Sequence, residues 1–197
     1  RPQDHGHIKT LQEETPLNIE IIDAKEIFMA KLKGVSDPEE KRKIIGHTFI
    51  EVFEEKVHEF EDKKGIKFEY LLQGTLYPDV IESTSPHKKG GKSVTIKSHH
   101  NVGGLPERMK LELLEPLRFM FKDEGRKIGE ELGLKHDWVY RHPFPGPGIG
   151  IRVLGELFDD SIRKVGESDQ ILFEELHAFK IYDSIAQAFT VLLPVKT

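Results

Sequence analysis

The chain has 197 residues, of which 37% are hydrophobic and 32% charged, with a net charge of −5; this composition suits a soluble globular protein with one large domain or two small ones, long enough to bury about two-thirds of its unfolded surface. The negative balance argues against bulk nucleic-acid binding by counterion release, and the apolar runs are too short to span a bilayer. The absence of cysteine excludes disulfides, thiolate metal sites and a cysteine nucleophile.

Residues 1–16 are polar and without period, as expected of a segment cut from a longer protein, and no signal or transit segment is visible, so a cytoplasmic address is expected. LNIEIID (17–23) alternates apolar and polar residues, which predicts a strand. A short amphipathic helix follows, with Ile27, Phe28 and Leu32 on its apolar side and Gly34 as its stop. Ser36 or Asp37 before Pro38 predicts a capped start to a long helix running to about Lys64. Its apolar stripe is Ile44, Ile45, Phe49, Val52, Phe53, Val57 and Phe60, facing one core. FEYLLQ (68–73) reads as a strand buried in a parallel sheet.

From Gly74 to about Lys92 the residues are turn formers and polar groups, with STSPHKKGGKS as the expected mobile loop. Helical patterns resume at 107–114 and at 122–133, where Gly133 caps. Strands alternating with helices predict α/β architecture. The break in composition at HPFPGPGIG (142–150) marks a domain boundary. Beyond it, IRVLGE reads as a strand, 157–180 as one or two helices, and AFTVLLPV (188–195) as an apolar strand that needs partners, so further sequence is expected downstream.

Gly91, Lys92 and Ser93 imitate the end of a phosphate-binding P-loop, but the glycine required five residues earlier is Pro86 and no helix pattern follows. Gln73–Asp79 lie just past the carboxyl end of a predicted strand, where open α/β sheets hold ligands. There Gly74 would admit a ligand to the backbone, Thr75 offers a hydroxyl, and Asp79 and Glu82 could meet magnesium or a ribose hydroxyl; a turn with an Asx cap is the competing reading. Lys97, His99, His100 and Asn101, followed by Gly103 and Gly104, can donate many hydrogen bonds to a phosphate chain and hinge a lid, or form an ordinary polar loop. Adjacent histidines lack metal-ligand spacing, so no metal site is assigned. Lys41, Arg42 and Lys43, one turn into the long helix, read as a solvated face or as a meeting point for phosphate. Arg141 and His142 read equally as a junction site or as packing.

Six segments in order, DPEEKRKIIGHTFIEVF (37–53), QGTLYPDVIES (73–83), IKSHHNVGGLP (96–106), EPLRFMFKDEGRKIGEELGL (115–134), RHPFPGPGIGIRVLGE (141–156) and QAFTVLLPV (187–195), resemble the GMP synthetase family. The resemblance implies the later part of a parallel-sheet ATP-pyrophosphatase domain, of the adenine nucleotide alpha hydrolase-like class, at 1–141. It implies the start of a small α+β dimerisation domain at 142–197, hence a homodimer. The implied reaction is ATP-dependent amination of xanthosine monophosphate (XMP) through an adenylyl intermediate, with Mg2+ on the pyrophosphate and ammonia from a glutamine amidotransferase domain. By resemblance, Lys97 would bind pyrophosphate while His99, His100 and Asn101 close over the reacting groups, and Asp37, Glu40 and Lys41 would meet that lid. Gly74, Thr75 and Asp79 would line the ATP pocket; Gln187, Arg141 and His142 would bind XMP. The family's SGGVDS loop, its glutaminase triad and its C-terminal tail do not occur in the 197 residues, so the chain alone is expected to be incomplete as an enzyme. A noncatalytic dimerisation or nucleotide-binding module derived from that enzyme is the alternative.

Overall fold

A computed structural model describes residues 11–13, 15–84, 111–143 and 148–195. Helix α1 (Lys25–Leu32) is followed by Gly34 at φ 76°, the left-handed geometry that glycine tolerates best. Helix α2 (Pro38–Lys64) starts where the cap and proline predicted it: Asp37 Oδ1 accepts the Glu40 N–H at 2.8 Å, and Pro38 occupies the first helical position. It ends on Gly65, at φ 62°, whose N–H returns to the Glu61 carbonyl. The predicted apolar stripe divides in two. Ile44 and Ile45 pack against the core, whereas Phe49 is 60% exposed and stacks on Phe53.

Strands β1 (Tyr70–Leu72) and β2 (Glu112–Leu114) pair in parallel, with Leu71 opposite Leu113. This corrects the helical reading of 107–114 at its described end. Glu-Leu-Leu suits a helix by propensity, but the Glu112 N–H donates to Glu69 O and the Gln73 N–H to Leu114 O, and tertiary pairing overrides a local preference of tenths of a kcal/mol. The expectation that β1 is buried also fails, since Tyr70 and Leu72 are exposed. Residues 77–84, read as turn, contain helix α3 (Tyr77–Thr84).

Helix α4 (Lys122–Glu131) occupies the predicted span with Gly133 at φ 88° after it, and the short α5 (His136–Val139) folds back against it. Residues 17–23 form no ladder, and their alternation leaves Leu17 and Ile21 exposed. IRVLGE is not a strand either. Ile149–Arg152 form α6, and only Val153 bridges to Leu192, in parallel. The expected strand at 188–195 is reduced to that bridge because no described segment extends its pairing. Residues 159–178 make one helix, α7 (Asp159–Ala178), followed by a 3-10 turn at Tyr182–Ser184.

The molecule is α/β, with a small parallel sheet and a helical region. Its core cluster is Leu32, Val153, Leu157 and Val165, with Phe28, Ile44, Ile45, Ile149, Ile162 and Leu192 packed around it. Residues on both sides of position 142 therefore share one apolar core. Among the described residues no helix is long and apolar enough to cross a membrane.

Candidate nucleotide site

Parallel pairing sends the carboxyl ends of β1 and β2 in the same direction, so Gln73–Thr75 and Glu115 emerge side by side. Among the described residues nothing lies within 4 Å of a Cβ built on Gly74, so they leave open space beside the backbone there. Thr75 is 4% exposed, and its hydroxyl donates to Glu115 Oε1 at 2.6 Å. Arg118 closes on the other oxygen of the same carboxylate. Donation from Thr75 holds the Glu115 carboxyl below its ordinary range; burial opposes that shift and Arg118 adds to it. With its proton committed to Glu115, the Thr75 hydroxyl has only acceptor capacity left for a ligand.

Asp79 Oδ2 accepts the Leu76 N–H at 3.1 Å, a reach-back across the first turn of α3. This is the reach-back half of a capping box and not the Asx cap read from the sequence, whose side chain would accept from an N–H further along the chain. Tyr77 ties this corner to the segment after β2 through its N–H on Met120 O and an edge-to-face contact with Phe121. A cavity of about 590 Å³ lies at the opposite, amino-terminal end of the strands, lined by Glu54, Val57, Glu61, Phe68, Tyr70 and Glu112 among others. It is separate from the Gly74–Thr75 corner.

A second group assembles 40 residues apart in sequence. The His142 N–H donates to the Tyr182 hydroxyl at 3.0 Å, and His142 Nε2 lies 2.9 Å from the Tyr182 carbonyl oxygen. Gln187 Nε2 donates to Pro143 O at 2.9 Å. The structure thus brings His142 and Gln187, two of the residues carried over for XMP, to consecutive points of one strand of backbone. Arg141, the third, adjoins them in sequence.

At the start of α2, Asp37 and Glu40 are exposed whereas Lys41 is wholly buried. Its ammonium donates to the carbonyls of Val153 at 2.8 Å, Gly150 at 3.3 Å and Gly155. This corrects the solvated-face reading of Lys41: the lysine follows the helix stripe inward, and three carbonyls replace its water. Burial lowers its pKa. Lys97, His99, His100 and Asn101, the 84–94 loop beyond Thr84, and the P-loop imitation at 91–93 lie outside the described residues. Among the described residues no group of three or more histidine and carboxylate side chains gathers to hold a metal.

Sequence reasoning passed over a buried ion pair. Arg152 Nη1 contacts both Asp169 oxygens, at 2.8 and 2.6 Å, and Asp169 also accepts from the Thr190 N–H and hydroxyl. Burial pushes the Asp169 carboxyl up, but the hydrogen bonds from Thr190 and Arg152 and the charge of Arg152 outweigh it, leaving a net lowering. The sequence signal was available: Asp169 falls between Val165 and Leu176 on the buried face of α7, and a carboxylate there demands a cation.

No family model matches the chain. The chain is 57% identical over 189 residues to the glutamine-hydrolyzing GMP synthase of Saccharomyces cerevisiae, covering 96% of this chain and 35% of that relative. It is 56% identical over 189 residues to that of Candida albicans, with the same coverage, and 59% identical over 177 residues to that of Nitratiruptor sp., covering 90% of this chain and 33% of the relative. The chain thus spans about a third of the length of the curated relatives it matches. Identity this high over nearly the whole chain establishes common descent with one segment of those enzymes.

Proposed function

We propose that this chain, a homologue of the glutamine-hydrolyzing GMP synthases, is the later part of the synthetase core of such an enzyme, which aminates XMP to GMP at the expense of ATP. The observation that carries the reading is the 57% identity sustained over 189 residues. On it, residues 1–141 belong to the ATP-pyrophosphatase domain and 142–197 begin a dimerisation domain that makes a cytoplasmic homodimer. Ammonia would come from glutamine through an amidotransferase domain outside the chain.

The chemistry needs no protein nucleophile. The C2 oxygen of the xanthine base attacks the α-phosphorus of ATP, the bond to the β-phosphate oxygen breaks, and pyrophosphate leaves. Ammonia then adds at C2 and AMP departs with the oxygen. Charge develops on phosphate throughout, so fixed donors are the protein's main contribution. Lys97, His99, His100 and Asn101 fill that role in this reading, with the exposed Asp37 and Glu40 meeting them, while Lys41, its three donors taken by carbonyls, holds the start of α2 in place. Gly74, Thr75 and Asp79 line the ATP pocket. The open space at Gly74 and the holding of Thr75 by Glu115 support that assignment. Arg141, His142 and Gln187 bind XMP.

Bound Mg2+ neutralises phosphate oxygens of the triphosphate. The described residues offer it no cluster of three ligands, so no step is assigned to a protein-held metal. The test is to supply the full-length protein with ATP, Mg2+, ammonia and XMP. AMP and pyrophosphate should form only when XMP is present. Binding of both nucleotides without turnover would instead indicate a noncatalytic module, and turnover independent of XMP would exclude the proposal.

A further inference from the structure

The cavity at the amino-terminal end of the strands contains none of the residues assigned to the reaction. At about 590 Å³ it has the size of a small-molecule site and is too small for a folded partner. Its chemistry follows from the strand register. Tyr70 of β1 stands opposite Glu112 of β2, and facing residues of a ladder send their side chains to one side of the sheet, so a phenol ring and a carboxylate stand next to each other. Both are exposed, the ring to 57%. Phe68, 40% exposed, adds a second ring to the wall. Its main chain is fixed from α2, because the Phe68 N–H donates to Glu61 Oε1 at 2.9 Å.

The charge on this cavity is one-sided. Glu54, Glu61, Glu69 and Glu112 line it against a single lysine, Lys67, and His58. The imidazole is turned to Glu61, with Nδ1 3.4 Å from Oε2, so Glu61 is engaged by a ring and by a main-chain N–H while Glu112 stands beside Tyr70. Such a wall attracts a cation. A compact metal ion is a poor match: among the described residues no three histidine or carboxylate groups converge, and a chelated ion needs several oxygens at one point. A larger cation, with its charge spread over several atoms, can lie on a ring face and reach a neighbouring carboxylate at the same time.

We propose that this cavity binds a small organic cation, a guanidinium or alkylammonium compound, whose charged group lies over Tyr70 and pairs with Glu112. The ring supplies its negative face and the carboxylate a charge-assisted hydrogen bond. The apolar part of the ligand rests against Phe68.

The test is calorimetric titration of the full-length protein with agmatine, which carries both cationic groups on an alkyl stem, and with butylurea, a neutral counterpart. Agmatine should bind and butylurea should not. Tyr70→Leu removes the ring and Glu112→Gln the charge, and each should weaken agmatine roughly tenfold, as expected for the loss of one cation–π contact or one charge-assisted hydrogen bond. Glu112→Gln is nearly isosteric, so its result stands even where Tyr70→Leu disturbs the fold. No saturable binding of agmatine up to about 10 mM, equal binding of butylurea, or unchanged affinity in Glu112→Gln would overturn the inference. Displacement of agmatine by an equal concentration of Mg2+ would make the cavity a metal site and overturn it too. A capped arginine peptide binding far more tightly than agmatine would replace the free ligand by a partner segment. None of these readouts depends on XMP turnover, so failure of the proposed reaction and failure of this site are told apart.

Discussion

Lys41 shows how far one side chain can depart from its local context. It stands among Glu39, Glu40, Arg42 and Lys43 in a charged run, yet its ammonium is enclosed by the carbonyls of Gly150, Val153 and Gly155. Four methylenes of stem let the lysine cross from α2 to the segment after α6, and carbonyl dipoles offset part of its desolvation. Lys41→Met keeps the stem and leaves three acceptors without their donor, so equilibrium unfolding in denaturant should show a loss of about 1–3 kcal/mol. Arg42→Met should cost under about 1 kcal/mol, because among the described residues Arg42 pairs with Glu39 on the surface; a loss as large as that of Lys41→Met would contradict the distinction. Lys97 is assigned by kinship alone, and its prediction is catalytic: Lys97→Ala in the full-length protein should slow pyrophosphate release by ~10²-fold with little change in unfolding, as expected when a charge-stabilising donor is removed. Stopped-flow measurement of that step checks it.

At the scale of elements, legibility followed the range of the forces involved. The limits of α2 were readable because a cap, a proline and a left-handed glycine act within one turn. Asp37→Ala should therefore cost about 1 kcal/mol, read from the unfolding midpoint, with Asp37→Ser close to wild type. The strands were not readable in the same way. LNIEIID has the right alternation and no strand partner among the described residues, whereas Glu112–Leu114 has an unpromising composition and a partner in Tyr70–Leu72. A strand is a relation between two segments, and neither segment alone carries it. The candidate site divides along the same line. Gly74, Thr75, Asp79, His142 and Gln187 could be named from motif and position, while Glu115 as the holder of Thr75 and Tyr182 as the holder of His142 could not.

For the whole molecule, the Arg152–Asp169–Thr190 contact joins α6, α7 and the C-terminal segment, close to the small core around Val153 and Val165. Because the folded Asp169 carboxyl titrates below its ordinary value, the unfolded state takes up the proton more readily in the acid range. Its stabilisation is complete above about pH 4 and is lost as pH falls through the folded pKa. Asp169→Asn should remove that acid-side dependence and lower stability at neutral pH by about 3–5 kcal/mol, since Arg152 would be left buried without its counter-charge. Unfolding measured from pH 3 to 7 on both proteins tests the two statements together. Apolar side chains such as Phe119, Leu132 and Phe179 are exposed. The amino-acid order by itself determined the kinship, the limits of α2 and the residue types at the candidate site; the caps of α2 depend on neighbours a few positions apart. Only the tertiary structure decided that Lys41 is buried, that Glu112–Leu114 is a strand and that Tyr182 governs His142, because each depends on contacts between segments some 40 or more residues apart.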